Sequence, residues 1–430
     1  MRMVRVSIVS TFDVSGGAAM AAWRLVEALQ KNIDEIDVRY LTRDITVNNP
    51  TLARAKPSFF FRQKQYLRFL YERWQVYQQI ASRKQLFLFS TANVGENISS
   101  FPAIQQADII HLHWINQGFV SIDGLKKLLQ TEKPIVWTLH DMWTFTGGCH
   151  YSDMCFNYEH SCGNCHLLRN PQSEDLSAQI WEKKWAVLGN TPQIHYVTCS
   201  KWLAKCAQNS SLLRNASVSS IPNPIDTGQY FPVENKGVLR TELHLPKEKK
   251  LLLFGAMSWS DPRKGFVYFK EAITHFLQKR PDLAANCALV VVGESKQKLP
   301  ELGIETHHLG FVSKWETMLK IYQAVDVYVI ASLEENLPNT IMEAMSCGIP
   351  SVGFITGGIP EMIQHTQNGY LATLYDAEQM ADGIAYVLED DARYRQLSAA
   401  ARTHVVQNYT PKVVAAQYWQ LYQQVLHTKD

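Results

Sequence analysis

Short, almost uninterrupted apolar runs recur along the chain, each followed by a longer stretch whose apolar positions repeat at helical spacing. Val4 to Ser10, Ile36 to Leu41, Asp108 to Leu112 and Pro134 to Leu139 are brief and β-branched, which predicts strands buried on both faces of a parallel sheet. Helices are predicted between them at Ala18 to Gln30 and Ser121 to Gln130. The rhythm restarts with strands at Lys250 to Gly255, Ala288 to Gly293, Asp326 to Ala331 and Pro350 to Phe354. The pattern is that of an α/β chain made of two βα-repeating halves, each Rossmann-like.

The halves meet near Ile221-Pro222-Asn223-Pro224-Ile225-Asp226. Two prolines there remove backbone donors and force extended geometry, and a polar stretch continues to Lys249. This segment is read as the linker, giving an N-terminal domain over 1–222, a second over 223–410, and a final helix from about Pro411 to His427 that packs back across the boundary. Arg54 to Lys84 breaks the rhythm as a helical insertion (about 54–86). It carries eight Arg and Lys against the single acid Glu72, interleaved with Phe59, Phe60, Phe61, Tyr66, Phe69, Tyr71 and Trp74. Such a segment suits a membrane interface, and equally an ordinary helix with a solvated face and core aromatics.

Composition narrows the class. With 46% hydrophobic and 19% charged residues, the 430-residue chain has the balance of a globular enzyme and the length for two domains. A formal net charge of +2 argues against a dedicated nucleic-acid binder. Asp13 interrupts the first apolar stretch too early for a signal peptide, and no apolar run is long enough to span a bilayer, so a cytoplasmic protein is expected, with any membrane contact peripheral and on the inner face.

Candidate chemistry sits where strands end. Gly16 and Gly17 follow the first strand and open a helix, where paired glycines allow close backbone approach to a phosphate or carbonyl; a tight βα turn explains them as well. His140 ends the Pro134 to Leu139 strand, the edge at which ligands of open α/β sheets gather; a structural histidine is the competing reading, and His111 and His113 have a similar location and a weaker claim. In the second half, Arg263 and Lys264 precede a helix and could clamp a diphosphate, or form a solvated turn. The most specific signal is Glu335-Asn-Leu-Pro-Asn-Thr-Ile-Met-Glu343. Pro338 and Asn339 start a helix, the amides near Asn339 and Thr340 suit a phosphate, and Glu343 one turn later suits the vicinal hydroxyls of a ribose, with Glu335 serving sugar hydroxyls in the same way.

The order of Gly16-Gly17, His140, Asn223-Pro224-Ile225-Asp226, Arg263-Lys264-Gly265, the Glu335 and Glu343 pair and Gly357-Gly358-Ile359-Pro360-Glu361 resembles the retaining glycosyltransferases of family 4, of the bacterial surface-polysaccharide type, over nearly the whole chain. The resemblance implies the GT-B fold, two Rossmann-like domains facing each other across a cleft, with the acceptor on the first and a nucleotide diphosphate sugar on the second. It implies donor-sugar contacts at Glu335, ribose contacts at Glu343, diphosphate contacts at Arg263 and Lys264, a glycine loop at Gly16 and Gly17, a sugar-contacting His140, and base recognition along Gly310-Phe311-Val312. It also implies metal-independent transfer to a glycan or lipid-linked acceptor. Two positions depart from the family pattern: Ala256 stands where Arg often follows the strand glycine, and Asn336-Leu337 stands where Gly-Phe is usual.

Cys149, Cys155, Cys162 and Cys165 crowd one loop, and Cys162-Gly-Asn-Cys165 is shaped like a zinc knuckle. Structural zinc is one expectation; reduced thiols packed in the loop, or a redox pair, are the others. Two further functional classes stay open: a GT-B epimerase or phosphorylase, and a non-catalytic nucleotide-binding partner in a polysaccharide assembly.

Overall fold

The computed structural model describes residues 3–44, 52–54, 59–294 and 299–427. They form two compact units, one of residues 1–224 with 411–430 and one of residues 225–410.

The first unit is built on a seven-stranded parallel sheet. Its strands are β1 (Val4–Phe12), β2 (Ile36–Asp44), β3 (Leu52–Arg54), β4 (Ile109–Leu112), β5 (Ile135–Leu139), β6 (Ile194–Thr198) and β7 (Ser217–Ser220), in the order β3-β2-β1-β4-β5-β6-β7. Alternate residues of one strand feed opposite cores, as the period-2 geometry requires: Ile135, Trp137 and Leu139 of β5 join one cluster, and Val136 joins another with Val6, Ile8 and Val38. That second cluster is closed by the C-terminal helix Pro411–His427, whose Val414, Tyr418 and Tyr422 are buried in it. This helix therefore belongs to the first unit. Two of its hydroxyls are bonded into the sheet: Tyr422 OH lies 2.7 Å from His111 Nδ1, and Tyr418 OH lies 2.9 Å from Thr138 Oγ1.

The second unit has six parallel strands: β8 (Lys250–Ser258), β9 (Cys287–Glu294), β10 (Thr306–His308), β11 (Val327–Ile330), β12 (Ser351–Phe354) and β13 (Gly369–Ala372). Their order is β10-β9-β8-β11-β12-β13. In both units the chain winds outward from its first strand in one direction and then in the other. The reversal points fall between β1 and β4 and between β8 and β11, where open α/β sheets leave a crevice at the carboxyl ends of the strands.

The polar stretch after Asp226 is not a free linker. It contains the helix Lys236–Glu242, and the buried Arg240 ties it into the second unit by donating to Asp326 Oδ2 at 2.7 Å and to the carbonyl of Ala324 at 2.8 Å. The predicted insertion contains a helix at Phe59–Gln79, with residues 55–58 lying outside the described set. Its acid Glu72 is fully buried, where Oε1 accepts the backbone amides of Thr91 and Ala92 at 3.1 Å each.

Candidate active site

In the second unit, groups predicted from separate stretches of sequence meet at the β8/β11 reversal. After β8 the chain makes a single 3-10 turn, Pro262–Lys264, capped by Asp261, whose side chain accepts the Arg263 amide. Gly265 then takes a left-handed conformation (φ 65°) and starts the helix Phe266–Lys279. Glycine is required there: a Cβ would lie 1.8 Å from the Ala331 carbonyl oxygen, because the turn presses against the end of β11. The amide of Leu333 donates to the Arg263 carbonyl at 2.8 Å, locking the two loops together.

That contact brings Lys264 Nζ onto Glu335 Oε1 as an ion pair, with the Ser332 hydroxyl donating to the same oxygen at 3.2 Å. Burial alone would raise the Glu335 carboxyl, but Lys264 and Arg263 outweigh it and hold the group below its ordinary range. The loop after β12 cradles the same residue from the other side. Gly357 (φ 56°) packs so tightly that a Cβ would fall 1.8 Å from the Glu335 carbonyl oxygen, and the Gly358 amide donates to that oxygen at 3.0 Å.

Four residues beyond Glu335 begins the helix Asn339–Ser346, with Pro338 at its N-cap. The positive end of the helix dipole lies at Asn339 and Thr340, which suits an anion. Glu343 lies one turn on, where Oε2 accepts the buried Tyr322 hydroxyl at 3.1 Å; the Tyr328 hydroxyl donates to Thr340 Oγ1 at 2.9 Å. Phe311 is half exposed, on a segment set against the end of β9 by the bond from Gly293 N to Gly310 O at 2.8 Å, with Val312 partly buried beside it. Ala256 does not end its strand. β8 runs through it to Ser258 with a break in register, and Gly293 (φ 125°) approaches the Ala256 carbonyl so closely that a Cβ would sit 1.7 Å from its oxygen.

In the first unit, Gly16 (φ 89°) is the N-cap of the helix Gly17–Asn32, and no atom lies within 4 Å of where its Cβ would be. The space is open, so the left-handed backbone at Gly16 is what favours glycine here. His140 leaves β5 with both ring nitrogens engaged: Nε2 lies 2.9 Å from His113 Nδ1, and Nδ1 lies 3.6 Å from Cys199 Sγ. The two imidazoles stack with centroids 5.2 Å apart. Burial drives the histidines toward neutrality, taking His140 down to about 4, His111 to about 3 and His113 well below its usual value. Next to them the Asp141 carboxylate accepts from Trp114 Nε1 at 2.9 Å, pairs with His150 Nδ1 at 2.7 Å and accepts the Trp143 amide at 2.9 Å.

A family model described as Glycosyltransferase Family 4 matches residues 15–229, half of the chain, and one described as Glycosyl transferases group 1 matches residues 248–390. The chain belongs to glycosyltransferase family 4.

Among relatives of this family 4 chain, the N-acetyl-alpha-D-glucosaminyl L-malate synthase of Bacillus anthracis is 28% identical over 49% of the chain and 55% of that protein. An Escherichia coli UDP-Gal:alpha-D-GlcNAc-diphosphoundecaprenol alpha-1,3-galactosyltransferase is 26% identical over 44% of the chain and 54% of its own length. The chain thus spans about half the length of these curated relatives. In fold it resembles the Anabaena HepE protein solved with UDP and glucose, at 15% identity and a TM-score of 0.62 over 98% of the chain and 99% of the other. The architecture is GT-B, with two Rossmann-like domains.

The sequence of this family 4 chain had not marked Ser332, Tyr322 or the pairing of His113 with His140. Ser332 and Tyr322 carry no motif. His113 did carry a signal, because it follows β4 as His140 follows β5, and neighbouring parallel strands bring such residues side by side.

The four loop cysteines form no disulfide. Among the described residues no three His, Cys, Asp or Glu side chains are placed to hold a metal ion. Cys162 Sγ instead accepts the Gly147 amide at 3.0 Å, and Cys165 is buried in the hydrophobic core. Burial pushes the Cys162 thiol up to about 12 and that of Cys165 up to about 11, which favours the protonated forms. The loop is pinned by the buried Lys184. Its Nζ bonds the Trp143 carbonyl and, at 2.9 Å, the Thr146 carbonyl, and it sits 3.6 Å above the centre of the Trp143 ring.

Proposed function

We propose that this chain is a retaining glycosyltransferase that holds a nucleoside diphosphate sugar on its second unit and transfers the sugar to a glycan or lipid-linked acceptor bound by its first. The observation that carries this reading is the meeting of Arg263, Lys264, Glu335 and the Asn339 helix start at the β8/β11 reversal point.

Each group has a role its chemistry suits. Arg263 and Lys264 face the diphosphate, whose negative charge grows as the sugar leaves; the helix-start amides of Asn339 and Thr340 add fixed dipoles. In this reading those cations and dipoles supply the charge stabilisation that the departing phosphate needs, and the transfer step calls for no metal. Glu335, kept ionised by the two cations, accepts hydrogen bonds from sugar hydroxyls and orients the anomeric carbon. Glu343 accepts from the ribose, steadied by Tyr322, and the backbone at Phe311 and Val312 meets the base. Attack on the face from which the diphosphate departs retains configuration, with the leaving phosphate oxygen taking the acceptor proton. Gly16, Gly17 and a neutral His140, held by His113, are the ligand-contacting groups of the first unit.

HepE was solved with UDP and glucose, and the Escherichia coli relative uses a diphosphoundecaprenol acceptor. Both support testing uridine donors and lipid-linked acceptors first. The test is turnover of Lys264→Ala against the parent with a panel of nucleotide sugars. A loss of at least about 100-fold is expected, the scale for removing one preorganised charge-stabilising group. Near-parental turnover would remove the assignment.

A further inference from the structure

We infer that the outward face of the Phe59–Gln79 helix is a docking surface for an anionic lipid bilayer. The helix has two well-separated sides. Its inner side is fixed to the first unit by Val76, by Glu72 through the Thr91 and Ala92 amides, and by an ion pair from Arg68 to Glu96. Its outer side presents Phe60, Leu67, Leu70, Tyr71, Trp74 and Tyr77, which recur at steps of three, four and seven residues and so form one stripe. Phe60 is 82% exposed, Leu67 63% and Trp74 55%. Large side chains are seldom left this wet in a row without something to cover them.

Charge identifies what covers them. Arg62 and Lys64 on this helix and Arg83 and Lys84 just after it are all exposed, and across residues 59–88 the one acid, Glu72, is buried inside. A second copy of the chain seated on this face would bring like charges together. An anionic headgroup layer neutralises them while Trp74 and the tyrosines take the interfacial depth that amphipathic rings prefer. The helix also packs against the loop that follows β4, where a Cβ at Gly118 would fall 2.9 Å from the Phe69 amide nitrogen. The helix that carries the stripe is thereby held beside the loop that follows β4, the strand whose end carries His113.

The experiment is co-sedimentation of the full chain with phosphatidylcholine vesicles and with vesicles that also contain phosphatidylglycerol, at low and high salt. No sugar donor is present, so the outcome is independent of the transfer reading. Binding is expected to the phosphatidylglycerol vesicles at low salt. It should weaken by roughly tenfold or more in Arg62→Glu/Lys64→Glu and in Leu67→Ser/Trp74→Ser. All four side chains are exposed, and unchanged melting of both variants would show that the fold persists. Absence of binding to phosphatidylglycerol vesicles, or equal binding by parent and both variants, would overturn the inference. So would a dimer that Leu67→Ser/Trp74→Ser dissociates in a chain that ignores vesicles.

Discussion

Lys264 Nζ is ion-paired with Glu335 Oε1 across 71 positions of sequence, one residue following β8 and the other following β11. The pair lies where the winding of the second sheet reverses, and it joins the Pro262–Lys264 turn to the loop after β11. Glu335→Gln keeps the shape and removes the charge. Turnover should fall by at least about 100-fold while nucleoside diphosphate affinity changes little, because the proposed contact of Glu335 is to the sugar. Lys264→Ala should lower both. Steady-state kinetics with direct nucleotide titration separates the two effects, and an equal loss of nucleotide binding in both variants would mean that Glu335 acts by holding Lys264 in position rather than by contacting the sugar.

Gly357 and Gly16 both have positive φ but differ in surroundings. Alanine at 357 meets the Glu335 backbone at 1.8 Å, so the loop carrying the acid must move. A shift of that kind is expected to cost on the order of 10- to 100-fold in turnover. Alanine at 16 meets no atom within 4 Å and costs chiefly the strain of a positive-φ, extended-ψ backbone that only glycine adopts readily, roughly 1–3 kcal/mol. Comparing kcat and thermal midpoints of the two variants checks the contrast, which fails if Gly357→Ala turns over normally.

The histidines of the first unit make its stability depend on pH. His140 and His111 titrate near 4 and 3 when folded and near 6.5 when unfolded, so between those values the unfolded chain binds more protons. Stability is therefore fully present above about pH 6.5 and is lost as pH falls toward 4, by up to about 1.4 kcal/mol per pH unit for each such group. Thermal midpoints between pH 7.5 and 5 should decline, and less steeply in His111→Gln. Parallel declines in parent and variant would contradict the assignment for His111.

Much of this was legible in the residues. The central strands announced themselves because burial on both faces leaves a nearly unbroken apolar run, as in Ile135–Leu139 and Val327–Ile330. Edge strands did not: Ser217–Ser220 and Thr306–His308 are polar, since an edge has fewer neighbours to exclude water. The 226–249 stretch reads as linker by polarity, yet Arg240 and Lys236 are polar because they bond Asp326 inside the second unit. Among site residues, the acids and cations were visible as a motif. The cradle that Gly357 forms around Glu335 arises only when β11 and β12 lie side by side. Lys184, which no motif singled out, holds the start of the cysteine loop through the Trp143 and Thr146 carbonyls.

The central claim is that the second unit holds a nucleoside diphosphate through Arg263, Lys264 and the Asn339 turn. Its most direct test is the thermal midpoint of the parent and of Arg263→Ala/Lys264→Ala with increasing UDP, GDP or ADP. At least one nucleotide should raise the parent midpoint, with about 2.7 kcal/mol gained at 100 times its dissociation constant, and should leave the variant unmoved. No shift with any nucleotide, or the same shift in parent and variant, would contradict the account.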